Sequence, residues 1–324
     1  MSSKALLFID LLGFSEMVSN DSEKAKNILS DFYNICYDLI NNDTTIKGNL
    51  FSDSLLAYSS NPSALANMAC TIYRKCLKKN KYYHEDLNYD LSKFFLLPRG
   101  GISFGLVDVQ DREEASNLQK NFIVSPALVH SAKMESKIKG SRLLIAEPLD
   151  KRVFNWNENI NSVLYENSSF IFWEDFKYFD SLWFLDLQGE EQEGIEELIN
   201  IAKILVFNNF DKISNLEQHI QTLRIGLLSF SKFLNSQDIS FIEQLINQFT
   251  DEKYWLVWLT IFEMIGYNSD AVLILQNRKV IDFYKRISIS KNWSKVINEI
   301  NLPNNEKLKE IFSVLLNHIV HRGI

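Results

Sequence analysis

The chain has 324 residues, 46% hydrophobic and 23% charged, with a formal net charge of −7. That is enough apolar material for two ordinary domains, and the acidic balance excludes a protein that wraps nucleic acid electrostatically. Cys36, Cys70 and Cys76 make no disulfide framework, and no Cys-x-x-Cys or His-x-x-x-His pair reads as a zinc site. No apolar run reaches the ~20 residues of a membrane span, and no secretory leader pattern opens the chain. The expectation is a soluble, cytoplasmic protein in a reducing setting, without direct membrane insertion.

The first element is Leu6-Leu7-Phe8-Ile9-Asp10-Leu11-Leu12, closed by Gly13. It predicts a buried central strand holding one carboxylate. Such a charge is costly unless it is paired or coordinates a metal. Residues 22–40 have helical spacing, with Asp21 or Ser22 as the cap. A hairpin over 44–59 follows, with Asp53 at its tip. Pro62 opens another helix, whose Lys75, Lys78, Lys79, Asn80 and Lys81 read as a solvated end. Residues 82–95 form a weakly patterned insertion. The segment 99–108 predicts a strand that begins Arg99-Gly100-Gly101, and glycines there mark the close approach of another backbone or a ligand.

Residues 110–120 read as a polar arm. Ser125 and Pro126 then cap a helix bearing Leu128, Ser131, Ala132 and Glu135 at helical spacing. Strands are expected at 143–146, 170–173 and 183–185. The order β-α-β-β-α-β-α-β predicts an α+β domain over 1–188, with an antiparallel-rich sheet backed by helices. From 189 to 324 the pattern is helical, at 191–207, 212–233, 238–249, 253–265, 268–284, 291–300 and 305–320. Trp255 and Trp258 there suit helix–helix packing, and Glu263, Asp270 and His219 form no catalytic cluster. This second region reads as a regulatory or assembly module.

If the hairpin lies beside the first strand, Asp10 and Asp53 converge into a hard oxygen site suited to Mg2+ or Mn2+. The Leu11 carbonyl is a third donor. The N–H groups of Gly13, Phe14 and Ser15 open a turn suited to β- and γ-phosphates. Lys133 is a candidate to neutralise charge on transferring oxygens. Arg99 reads equally as a phosphate contact or as a stabiliser of the sheet end, and His130 as a packed or loop-facing residue. No Gly-x-x-x-x-Gly-Lys-Ser/Thr loop and no Gly-x-Ser-x-Gly turn is present.

Four blocks in order carry a resemblance: Phe8-Ile9-Asp10-Leu11-Leu12-Gly13-Phe14-Ser15, Phe51-Ser52-Asp53-Ser54, Arg99-Gly100-Gly101-Ile102-Ser103-Phe104-Gly105, and the helix from Ser125 to Glu135. Together they resemble the two metal motifs, the following strand and the transition-state helix of class III nucleotidyl cyclases. The Phe-Ser-Asp-Ser form, the Arg-Gly-Gly-Ile strand and the Ser-Pro-Ala-Leu-Val helix look most like the pyrimidine cyclases of bacterial Pycsar anti-phage systems. The resemblance implies a ferredoxin-like α+β cyclase domain that uses two Mg2+ or Mn2+ ions per site. It implies conversion of a nucleoside triphosphate to the 3′,5′-cyclic monophosphate and pyrophosphate. It also implies a head-to-tail homodimer with two composite sites, and a separate effector that responds to the product.

Departures from the family pattern bear on the base. Asn49 stands where purine cyclases carry a base-reading lysine, and Phe122 where adenylate cyclases carry an aspartate. Asn49 offers a donor and an acceptor to a pyrimidine edge, and Phe122 a surface for the smaller ring. UTP is the first expectation and CTP the second. Val129 aligns with the transition-state asparagine and Lys133 with the arginine, so one donor is lost and the planar fork is replaced. A purine cyclase and a cyclase-like binding protein without turnover are the alternatives.

Overall fold

The fold is that of a computed structural model, which describes residues 2–85, 89–111, 121–137, 140–146, 178–181, 183, 191–209 and 213–230. Among the described residues there are seven strands: β1 (Ser2–Leu11), β2 (Ile46–Phe51), β3 (Ser54–Ser59), β4 (Pro98–Asp111), β5 (Asn121–Val124), β6 (Leu143–Ala146) and β7 (Tyr178–Ser181). They form one sheet in the order β2-β3-β1-β4-β6-β7, with β5 paired to β4. The β4–β6 pair is parallel, and β1–β3, β1–β4, β2–β3, β4–β5 and β6–β7 are antiparallel. The α+β class and the antiparallel-rich sheet agree with the sequence pattern.

Six helices lie among the described residues: α1 (Phe14–Asn20), α2 (Ser22–Asn41), α3 (Pro62–Glu85), α4 (Pro126–Lys137), α5 (Glu191–Asn208) and α6 (Ile213–Phe230). Asp21 caps α2, its Oδ1 accepting from the Glu23 and Lys24 N–H groups at 3.1 Å, and the buried stripe Ala25, Ile28, Phe32, Ile35, Cys36 faces the core. Helix α3 packs on β1, β3 and β4, and α4 packs on β1 and β4. In β1, Leu6 and Phe8 join Leu56, Tyr58, Val107 and Ala127 in one apolar cluster. Side chains alternate along a strand, so Asp10 emerges on that same face, the one α4 covers.

Several local expectations are corrected. Helix α1 separates the first strand from α2, because Gly13 in the left-handed region (φ +74) ends the strand and starts a short helix. Helix α3 runs on to Glu85, and Asn80 is fully buried rather than solvated. Its amide donates to the Cys76 and Leu96 carbonyls and accepts from the Leu96 N–H. Among the described residues a strand lies at Tyr178–Ser181; of the strand expected at 183–185, Trp183 lies in a turn with no exposure, and 184–185 lie outside the described residues. Helices at 191–207 and 212–233 are matched by α5 and α6. Strand β4 runs on through Gln110 and Asp111, the first two residues of the arm expected at 110–120; the rest of that arm, the strand at 170–173 and the five helices expected after 237 lie outside the described residues, as do Trp255, Trp258, Glu263 and Asp270.

The chain divides into two compact units, one of 1–164 with 173–222 and the other of 165–172 with 223–324. Helix α5 and α6 as far as Thr222 thus share a unit with the sheet. Among the described residues, no helix is long and apolar enough to cross a membrane.

Candidate active site

Asp10 lies near the end of β1, opposite Ser54 of β3 on one side and Arg99 of β4 on the other. Asp53 lies in the two-residue turn between β2 and β3. That turn starts at Ser52 with φ +51, the one positive-φ non-glycine residue among those described. A non-glycine residue in this region is uncommon and costs energy unless its surroundings hold it. The Tyr33 hydroxyl of α2 donates to the Ser52 carbonyl at 2.9 Å, and the Leu11 N–H donates to the Asp53 carbonyl at 3.1 Å. The hairpin tip is therefore tied both to α2 and to the end of β1.

The surroundings of Asp10 set its charge. Its Oδ1 accepts from the Ser54 hydroxyl at 2.9 Å, and its Oδ2 faces Arg99 Nη2 at 3.3 Å. Burial raises its pKa above 3.8, and the Asp53 charge raises it further; Ser54 and Arg99 act in the opposite direction. Two carboxylates that repel across a partly buried gap fit a hard divalent cation, which relieves that repulsion. Among the described residues, no group of three or more His, Cys, Asp and Glu side chains is arranged to hold a metal. The expected set of Asp10, Asp53 and the Leu11 carbonyl brings two side-chain carboxylates to this end, fewer than such a group needs.

Arg99 is shared between two carboxylates. Its Nε stands 2.6 Å from Glu135 Oε1 of α4, while Nη2 faces Asp10. The Nε–H is not aligned with that oxygen, so the contact is an ion pair rather than a hydrogen bond. Glu135 is 8% exposed. The sequence showed its helical position but not this partner. The two glycines after Arg99 make the approach of neighbouring elements possible. A Cβ at Gly100 would run into the Phe8 carbonyl oxygen, and one at Gly101 would meet Met134 at 2.8 and 2.9 Å. These glycines serve strand and helix packing, not a ligand.

The other expected residues are spread around this end. Gly13 caps α1, and its carbonyl accepts from the N–H groups of both Glu16 and Met17 at 3.1 Å. Phe14 and Ser15 form the first turn of this helix. Asn49 is half-buried in β2, opposite Leu56. Phe122 pairs through its backbone with Gln110. Lys133 is exposed on α4, as are Val129 one turn before it and His130. Glu135, two residues beyond Lys133, points to the opposite side of the helix and is buried against Arg99. Asp10, Asp53, Arg99, Ser54 and Glu135 are thus gathered at one end of the sheet, and Lys133 is not among them.

His219 of α6 is a further residue the sequence left scattered. It is 4% exposed, edge-on to Phe95 at 5.8 Å, and burial pushes its pKa down to about 4 against the opposing charge of Glu16. With Leu12, Gly13 and Glu16 it lines a cavity of about 40 Å³ behind the turn from β1 to α1.

No known protein family's profile and no curated protein matches the chain. Solved structures do. The guanylyl cyclase Cya2 is 14% identical, with 56% of this chain and 91% of that one covered at a TM-score of 0.45. A bacterial light-regulated adenylyl cyclase is 15% identical, with 61% and 97% covered at 0.42. The adenylyl cyclase CyaB from P. aeruginosa is 14% identical, with 56% and 93% covered at 0.40. At these values the residues themselves, not the likeness, carry the functional reading.

Proposed function

We propose that the protein is a divalent-cation-dependent nucleotidyl cyclase, converting a nucleoside triphosphate to its 3′,5′-cyclic monophosphate and pyrophosphate. The observation that carries this is the gathering of Asp10 and Asp53 at one end of an apolar sheet, where Asp10 pairs with Ser54, next to Asp53 in the chain, and the Leu11 N–H donates to the Asp53 carbonyl at 3.1 Å. Asp10, Asp53 and the Leu11 carbonyl would hold the cations. When bound, such ions polarise the α-phosphate and lower the pKa of a hydroxyl.

The remaining roles fall to the chain itself. The N–H groups of Phe14 and Ser15 receive the terminal phosphates, since those of Glu16 and Met17 are engaged by Gly13. Glu135 keeps the Arg99 guanidinium at the carboxylate end, where it offsets phosphate charge. The ribose 3′-hydroxyl attacks the α-phosphorus, its proton leaves to solvent, and pyrophosphate departs. Lys133 acts from a partner chain in a homodimer with two composite sites. Residues 1–188 supply the chemistry, and 189–324 regulate or assemble it.

The base is the finer part of the proposal. Asn49 presents a donor and an acceptor to a pyrimidine edge, and Phe122 is the residue that packs on the ring, which favours UTP first and CTP second. A cyclic pyrimidine nucleotide would then act on a separate effector in phage defence. The solved structures named above are adenylyl and guanylyl cyclases, so ATP and GTP belong in the same assay. Asp53→Asn tests the carboxylate pair directly. Turnover should fall by roughly a hundredfold or more with the fold intact by circular dichroism, whereas wild-type turnover at limiting Mn2+ would remove Asp53 from the site.

A further inference from the structure

Gly140, Ser141 and Arg142, just ahead of β6, form a buried polar hub. Gly140 has φ +90, and a Cβ there would meet the Gln218 carbonyl oxygen and the Thr222 nitrogen and Oγ1, each at 2.9 Å. This glycine lets α6 lie directly on the hub. Ser141 and Arg142 are 0% and 5% exposed. The Ser141 N–H donates to Thr222 Oγ1 at 2.8 Å, its hydroxyl donates to the Pro98 carbonyl at 2.7 Å, and its carbonyl accepts from Trp183 Nε1 at 3.2 Å. The Arg142 carbonyl accepts from the Tyr73 hydroxyl and from the Gly100 N–H, both at 3.0 Å.

This hub reaches the carboxylate end by a short route. The Pro98 carbonyl belongs to the peptide that joins Pro98 to Arg99, and Arg99 faces Asp10. A second contact runs beside the first. His219, one turn before Thr222, sits edge-on to Phe95, whose ring lies 3.3 Å from where a Cβ on Gly13 would be. The Leu12 N–H donates to the Leu97 carbonyl at 2.9 Å. Helix α6 therefore braces the segment 95–98, and that segment holds both Leu12–Gly13 and Arg99.

We propose that Thr222 and Ser141 are positioning residues for the carboxylate end, so that a helix of the C-terminal region forms part of its support. The proposal rests on the reading of Asp10 and Asp53 as a cation-holding pair. A threonine hydroxyl within a helix often does no more than donate to the carbonyl four residues back, as Thr222 does to Gln218 at 3.2 Å. Here the same oxygen also accepts a buried N–H from the hub that fixes Pro98. Removing it leaves that N–H without its partner, and a buried network responds as a unit.

The test uses the full chain and Mn2+ alone, with free Mn2+ read by paramagnetic resonance. Thr222→Val removes the acceptor at nearly equal shape, Thr222→Ser keeps it, and Ser141→Ala breaks the link to Pro98. The Val and Ala variants should each weaken Mn2+ binding by roughly tenfold. Thr222→Ser should bind within about twofold of wild type, and the double variant should be no weaker than either single one. A merely structural threonine would lower the melting temperature and leave Mn2+ affinity in place. Wild-type affinity in folded Thr222→Val or Ser141→Ala overturns the proposal, as does a Thr222→Ser variant as weak as Thr222→Val. Should Thr222→Val not fold, Ser141→Ala decides alone. Failure of every nucleotide to cyclise leaves these readouts standing, whereas a wild-type chain that binds no Mn2+ overturns the carboxylate reading and this proposal with it.

Discussion

The Asp10 side chain is 19% exposed and accepts from Ser54 while facing Arg99; burial and the Asp53 charge raise its pKa. Its folded pKa lies above 3.8, so between 3.8 and that higher value the folded state binds more protons than the unfolded one. Stability contributed by this group is therefore lost as pH rises through that window. At about pH 7 and without divalent ions, Asp10→Asn should melt above the wild type, and the gain should vanish below pH 3.8. Adding Mn2+ should raise the wild-type melting temperature and leave the variant unmoved. A variant that melts lower without metal would contradict the account of Asp10. This carboxylate was legible because one charge interrupts an apolar run. The Arg99–Glu135 pair was not, since its members are 36 positions apart in the chain numbering and only the α4–β4 packing joins them.

Helices and strands were legible where apolar spacing was long and regular, as in α2, α3, α5 and α6. The hairpin was legible too, although what holds Asp53 at its tip was not. The Tyr33 hydroxyl comes from another element, and no local pattern announces it. The run of lysines around Asn80 concealed a buried amide because composition there outweighs the position of one residue on the helix. The role of α5 also emerges only from packing. Ile195, Leu198, Ile199, Ala202, Leu205 and Val206 are buried, and α5 packs on α3. A chain truncated after residue 188 would expose the face of α3 that these side chains cover. We expect it to lose several kcal/mol, at about 25 cal/mol per Å² of apolar area newly exposed, and to aggregate or melt well below the full chain. A 1–188 fragment as stable as the whole protein, by thermal melting, would contradict this.

At the scale of the molecule, the outward face of α4 and the carboxylate end are separate surfaces. Lys133 and Val129 are exposed on the first, while Asp10 and Asp53 lie at the second. If a two-fold dimer sets one against the other, each site takes its carboxylates from one chain and its lysine from the partner. Asp53→Asn and Lys133→Ala homodimers should then both be nearly inactive. After equal mixing and subunit exchange, heterodimers would hold one intact site, and activity should recover to about a quarter of wild type. Recovery absent despite verified exchange would break either the composite geometry or the role of Lys133.

The central claim, that this chain cyclises a nucleoside triphosphate, is tested most directly by product identity. The purified full chain is incubated separately with UTP, CTP, ATP and GTP in the presence of Mn2+, and products are identified by mass spectrometry against 3′,5′-cyclic standards. The account predicts a 3′,5′-cyclic monophosphate with equimolar pyrophosphate, from UTP foremost, and its loss in Asp10→Asn. Product from ATP or GTP alone would keep the cyclase and overturn the pyrimidine reading. No cyclic product from any of the four, by a folded chain that binds Mn2+, would contradict the account.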